Sequence, residues 1–223
     1  MPAKVVSRPF RAGFVAAALI LLSTAANAAS VTFTSVANSV NRGGVYSGHY
    51  ALTINTQAIL GLCDAVESFV NPPVTWTADI RSYADIQGGA VGKFNNPSTA
   101  ATLVKYSQAG WLYSQLGTLA LNDYAGQADV QEAIWKIMTP SYALVGAGAG
   151  VWYTAGTGGT HDAFDWSTVM RVVTANPASQ GGKDVQEFLI RGDFSIVPVP
   201  AAAWLFGSAL LGLGGLVRRK VSS

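Results

Sequence analysis

The chain contains one cysteine, Cys63 in "LGLCDAVESF", and a thiol that can be ionised is a nucleophile and a metal ligand. With His161 as base and Asp162, Asp165 or Asp184 as orienting acid, Cys63 could be written as a hydrolase triad, because such triads assemble in space in any chain order. No local signature surrounds either residue. His161, in "GGTHD", reads as a loop or cap residue, and His49, in "SGHYAL", as half-buried on a strand. No catalytic residue is assigned, and the chain is read as a non-enzyme. His161, Asp162 and Asp165 match no zinc or EF-hand spacing, so no metal is expected. The glycines at 146, 148, 150, 156, 158 and 159 lack the strand-then-helix context and the lysine of a phosphate cradle, and no cofactor is expected. A second polar residue stands out far downstream: Gln131 in "DVQEAIWKIM" lies at the front of an apolar helical stripe.

The elements that must position these residues begin with strands. "VTFTSV" (31–36) alternates apolar and hydroxyl residues, and "GVYSGHYALTI" (44–54) does much the same after Gly43-Gly44. "AILGLCDAVESFV" (58–70) is an apolar segment ending at Pro72-Pro73. After a polar, glycine-containing stretch, 97–116 reads as a helix capped by Ser98 or Thr99, with Leu103, Tyr106, Gly110, Tyr113 and Leu116 on one face. A second helix is expected over about 128–138, with Asp129 near its N-terminus, Pro140 past its end, and Val130, Ile134, Ile137 and Met138 buried beside Trp135. Residues 147–162 read as a glycine-rich loop, 163–176 as a third helix and 186–197 as closing strands. The fold class is α+β: a β-rich N-terminal part with a few short helices, forming a single domain over 29–196.

Both ends of the chain carry targeting patterns. Lys4, Arg8 and Arg11 precede an apolar run from Gly13 to Ala25, and Ala26-Asn27-Ala28 is a small-x-small cleavage site. Residues 1–28 therefore read as a signal peptide that signal peptidase cuts between Ala28 and Ala29. At the other end, Pro198, Val199 and Pro200 precede an apolar stretch, 201–217, that ends in Arg218-Arg219-Lys220. A helix of that length can just cross a hydrocarbon core, and the basic cluster after it should stay cytoplasmic. Residues 197–220, with "PAAAWLFGSALLGLGG", resemble a PEP-CTERM sorting tail, although Val199 stands where the family has glutamate. The resemblance implies transient anchoring in the inner membrane, processing by an exosortase-like sorting protease, and delivery to the cell surface or extracellular matrix.

Without these ends the charge changes sign. Between Ala29 and Val197 lie all twelve acidic residues and only eight of the fourteen basic ones, a formal charge of −4 against +2 for the whole chain. That balance gives no support to nucleic acid as a partner, which needs clustered Lys and Arg.

Cys63 after a strand-like run, "AGWLYSQL" (109–116) between, and Gln131 in "QEAIW" together resemble a Cys–Gln thioester domain, the covalent module of surface adhesins. The resemblance implies that the Cys63 sulfur bonds to the side-chain carbonyl of Gln131 with loss of ammonia, and that an amine-bearing surface ligand is captured there. Val130 departs from the threonine that the family's motif prefers. Such chemistry needs a thiolate held against a polarised amide, and burial that then protects the product from water. In the competing reading Cys63 is a small buried hydrophobe. The protein is then a structural matrix component or binds exopolysaccharide without a covalent bond, with Trp76, Trp152, Tyr153 and Trp166 available to stack on sugar rings.

Overall fold

A computed structural model of the chain describes residues 28–68, 71–94, 99–176 and 185–195. Its strands are β1 (Ala28–Arg42), β2 (Val45–Ile54), β3 (Gln57–Cys63), β4 (Val74–Arg81), β5 (Met170–Ala175) and β6 (Phe188–Arg191). All neighbours pair antiparallel, in the order β1-β2-β3-β6-β5-β4, and the sheet closes as a barrel. Closure rests on the length of β1. Its first residues pair with β4 (Ala28↔Asp79 to Phe33↔Val74), and from Val31 onward it also pairs with β2. Tight hairpins follow from Gly43-Gly44, at φ 64° and 94°, and from Asn55 at φ 55°, the left-handed backbone that two-residue turns require.

Alternation along the strands fills the barrel. Phe33, Tyr50, Trp76 and Phe188 point inward, with neighbouring ring centroids 5.5 to 6.1 Å apart. Residues of the opposite parity on one side of the barrel (Leu62, Met170, Val172 and Leu189) form a second core against the helices. The helices are α1 (Tyr83–Gln87), α2 (Ala100–Gln115), α3 (Tyr124–Met138) and α4 (Ala149–Gly156). Thr99 caps α2 as expected, in a reciprocal box with Thr102. Nearly every residue of α3 from Gln127 to Met138 is buried, because it packs on α2, α4, β1 and β2 together.

Four expectations need correction. Residues 163–176 are not a helix: turns run to Val169 and then β5, whose β-branched Val172, Val173 and Thr174 suit a strand with both faces covered. The 147–162 stretch is not all loop, since Ala149–Gly156 is helical. β4 lies within the stretch read as merely polar, although Trp76, Ala78 and Ile80 alternate inward. Asp129 does not sit at the start of its helix. The N-cap is Asp123, whose carboxylate accepts from Gly126 N, so α3 begins about one turn earlier than expected.

The α+β, β-rich reading otherwise stands: a six-stranded barrel with a few helices. Ala28 and Ala29 open β1, with Ala29 buried. Residues 1–27, the expected sorting residues Pro198, Val199 and Pro200, the apolar stretch 201–217 expected to be helical, and Arg218, Arg219 and Lys220 lie outside the described residues. Among the described residues no helix is long and apolar enough to cross a membrane.

Candidate functional site

Three consecutive residues of β2 dock onto α3. Ser47 Oγ donates to the Ala128 carbonyl at 2.9 Å, Gly48 N to Gln131 Oε1 at 2.5 Å, and His49 Nδ1 meets Gln127 Oε1 at 2.9 Å. The last β2–β3 rung is His49↔Leu62. One more rung would set Gly48 opposite Cys63, and there the side chain of Gln131 stands between the strands. Its Oε1 accepts from Gly48, while its Nε2 donates to the Cys63 carbonyl at 3.1 Å. Trp135, one turn further along α3, donates its indole Nε1 to the same carbonyl at 2.7 Å. The Q-x-A-I-W spacing thus has a physical reason: residues i and i+4 share a helix face, and both donate to one carbonyl at the end of β3.

Cys63 and Gln131 are completely buried. Burial, reinforced by the acid of Asp64, pushes the Cys63 thiol well up, while the Ala65 amide and the Trp135 indole pull partly against it. The resting sulfur therefore keeps its proton. Tyr50 lies close enough to both partners to feel them, and its hydroxyl donates to the Tyr46 carbonyl. Burial, then the nearby Cys63, raises that hydroxyl far above its ordinary value. The Tyr142 ring meets Trp135 edge-on at 5.3 Å.

The segment after Tyr142 is tied down by carboxylates of α3. Glu132, fully buried beside Gln131, accepts from Val145 N at 2.7 Å and Gly146 N at 2.9 Å. Asp129 accepts from Gly148 N at 3.1 Å, and Arg42 joins both acids, 3.0 Å from Asp129 and 3.5 Å from Glu132. Close approach explains two glycines: a Cβ would stand 1.9 Å from Asp129 Oδ1 at Gly146, and 2.5 Å from Oδ2 at Gly148. Burial raises the Asp129 carboxyl more than Arg42 lowers it.

Behind Cys63 lies a buried acid pair. Glu187 accepts from Tyr106 Oη at 2.6 Å, Thr174 Oγ1 at 2.5 Å and Lys93 N at 2.8 Å. Burial, then Glu187, raises Asp64 well above the ordinary carboxylate range.

The alternative triad is not assembled. The His161 ring stacks on Trp111 at 3.9 Å, with Nε2 on the Thr160 hydroxyl, and exposed Asp162 accepts from Gln108. Asp165 accepts from Ser167 N, and Asp184 lies outside the described residues. Of the aromatics considered for sugar stacking, Trp76 and Trp166 are core residues, and Trp152 and Tyr153 pack partly buried on the helical core. Among the described residues no cluster of His, Cys, Asp and Glu suits a metal ion.

The sequence reading singled out Cys63, Gln131 and Trp135 but missed Gly48, Tyr50, Arg42 and Tyr142. A lone glycine inside the strand-like "VYSGHYALTI" was the available signal, since glycine there marks a bulge or a close approach. Comparison with known protein families, with curated proteins and with solved structures yields no match for the chain.

Proposed function

We propose that this is an exported attachment protein whose Cys63 and Gln131 join in an internal thioester that bonds covalently to an amine-bearing surface ligand. The observation that carries the reading is the seat of the Gln131 carboxamide between Gly48 N and the Cys63 carbonyl, inside a fully buried site. In the closing step the Cys63 sulfur bonds to Gln131 Cδ and the Cδ–Nε2 bond breaks. The thiol proton leaves with Nε2 as ammonia. Losing Nε2 does not strand the Cys63 carbonyl, because Trp135 Nε1 still donates to it. Capture reverses the logic: an incoming amine attacks Cδ, the C–S bond breaks, and the sulfur regains a proton. Burial keeps water from the bond.

The two ends of the chain supply the rest of the proposal. Signal peptidase removes residues 1–28, the 201–217 helix holds the protein in the inner membrane in transit, and an exosortase-like protease acts on the tail from Pro198 to Lys220. A second reading is favoured by the complete burial and raised thiol of Cys63. Here Gln131 only completes the β2–β3 ladder, and the protein is a non-covalent matrix or exopolysaccharide-binding component.

Alkylation of the denatured, amine-free mature chain separates the two. The covalent reading expects Cys63 to be protected, and methylamine treatment to free the thiol and leave methylamide at Gln131. Full alkylation with no methylamine uptake leaves the second reading.

A further inference from the structure

The backbone around Gly48 is built in an unusual way, and the consequence falls on one oxygen. Between the rungs Val36↔Tyr50 and Ser39↔Gly48, β1 carries two residues, Ala37 and Asn38, where β2 carries only His49. This is a β-bulge, a device that re-aims one residue of a strand pair and is over-represented beside active sites. Both strands adopt left-handed φ there: Asn38 at 48° and Gly48 at 125°. A Cβ on Gly48 would stand 2.6 Å from the Asn38 carbonyl oxygen and 2.9 Å from Ser39 Cα, backbone atoms that cannot swing aside. Glycine is therefore demanded at this position by conformation and by space. What the distortion achieves is the bond from Gly48 N to Gln131 Oε1 at 2.5 Å, in a site without exposed surface.

Resting on the thioester reading above, we propose that the Gly48 N–H is the oxyanion donor of the Cys63–Gln131 reaction, held in place by the Asn38 bulge. Attack of sulfur on Cδ turns the Gln131 carbonyl into a tetrahedral centre whose negative charge falls on Oε1, the atom that Gly48 already faces. The same oxygen takes the charge when an amine opens the thioester, so one donor serves both directions. A donor fixed by the sheet costs no reorganisation during the step, and its effect is larger where water is excluded. Tyr50 does not compete for that charge, because its hydroxyl hydrogen is committed to the Tyr46 carbonyl.

The test is an amide-to-ester exchange at Gly48 in the full mature chain, which replaces its N–H with oxygen and adds no side chain. The same exchange at Gly44 is the control, since that N–H serves only the hairpin, bonding the Asn41 side chain at 3.0 Å. Loss of ammonia after refolding is followed by mass. We expect the Gly48 ester to close more slowly by about 10²-fold, the cost of removing one oxyanion donor, and the Gly44 ester to close at the wild-type rate. Wild-type speed in both esters overturns the proposal while leaving the thioester intact, whereas a wild-type chain that never loses ammonia removes the thioester reading and this proposal with it. Infrared spectroscopy of the closed wild type gives a reading that does not depend on folding of the variant. A thioester carbonyl held by Gly48 should absorb below that of a peptide thioester in aprotic solvent, and absorption at the aprotic frequency overturns the donor assignment.

Discussion

In a Cys63→Ala chain, where no thioester can form and Gln131 keeps its amide, Trp135→Phe and Gln131→Ala should cost more together than the sum of their separate effects. Both side chains donate to one buried acceptor, the carbonyl of residue 63, at 2.7 and 3.1 Å. Removing either leaves the acceptor with the other, so the hydrogen-bond part of each single change is about 1 kcal/mol. Trp135→Phe also deletes roughly three buried ring atoms, adding about 2 kcal/mol at ~0.8 kcal/mol per methylene-sized group. Removing both donors orphans a buried carbonyl, a penalty of about 1–3 kcal/mol that neither single variant meets. A double-mutant cycle by urea denaturation should therefore show an excess of about 1–2 kcal/mol in the double variant. Additivity within about 0.5 kcal/mol, the behaviour of independent sites, would refute the shared-acceptor geometry and with it the explanation of the Q-x-A-I-W spacing.

Gly110→Ala, which on an exposed helix would stabilise by about 1 kcal/mol, should instead lower stability by about 1–2 kcal/mol. Its Cβ would stand 2.6 Å from Cβ of buried Trp166, and overpacking of this kind outweighs helix propensity; a melting temperature at or above wild type contradicts this. Asp64 should make the domain less stable as pH rises. Its raised folded pKa means that the native state holds a proton the unfolded chain has released, so the contribution is full below the ordinary carboxyl value of about 3.9 and is lost as pH climbs through the folded value. Asp64→Asn should flatten that slope in urea titrations from pH 4 to 8, and an unchanged slope assigns it elsewhere. Deleting Arg218 to Lys220, or replacing Pro198 to Pro200, should leave a protein tagged before Pro198 unprocessed or mislocalised in cell fractionation; unchanged release after both alterations argues for another exit route.

Local signals supply a sole cysteine at the end of an apolar strand and a helix face shared by Gln131 and Trp135. That Cys63 and Gln131 belong together is implied only by the family resemblance, because no local signal says which way α3 faces the sheet. Patterns failed where burial is two-sided. β5 has Met170, Val172 and Val173 all buried, because one face lines the barrel and the other meets the helices, and the resulting apolar run does not alternate. α4 was hidden by its glycines, two of which flank or open the helix because the Asp129 carboxylate approaches too closely for any side chain. Arg42, Asp129 and Glu132 come from elements far apart in the chain, and no spacing rule links them. Gly48 is an intermediate case: its residue type announced a backbone irregularity, but its partner across the sheet and on α3 follows only from the register of β1, β2 and β3.

Intact mass of the purified mature domain, measured under denaturing conditions without added amine, tests the central claim most directly. A Cys63–Gln131 thioester leaves the chain lighter by one ammonia, and Cys63→Ala and Gln131→Ala should each restore the full mass expected from its own sequence. A wild-type chain at its full sequence mass, with Cys63 alkylated to completion, contradicts the account.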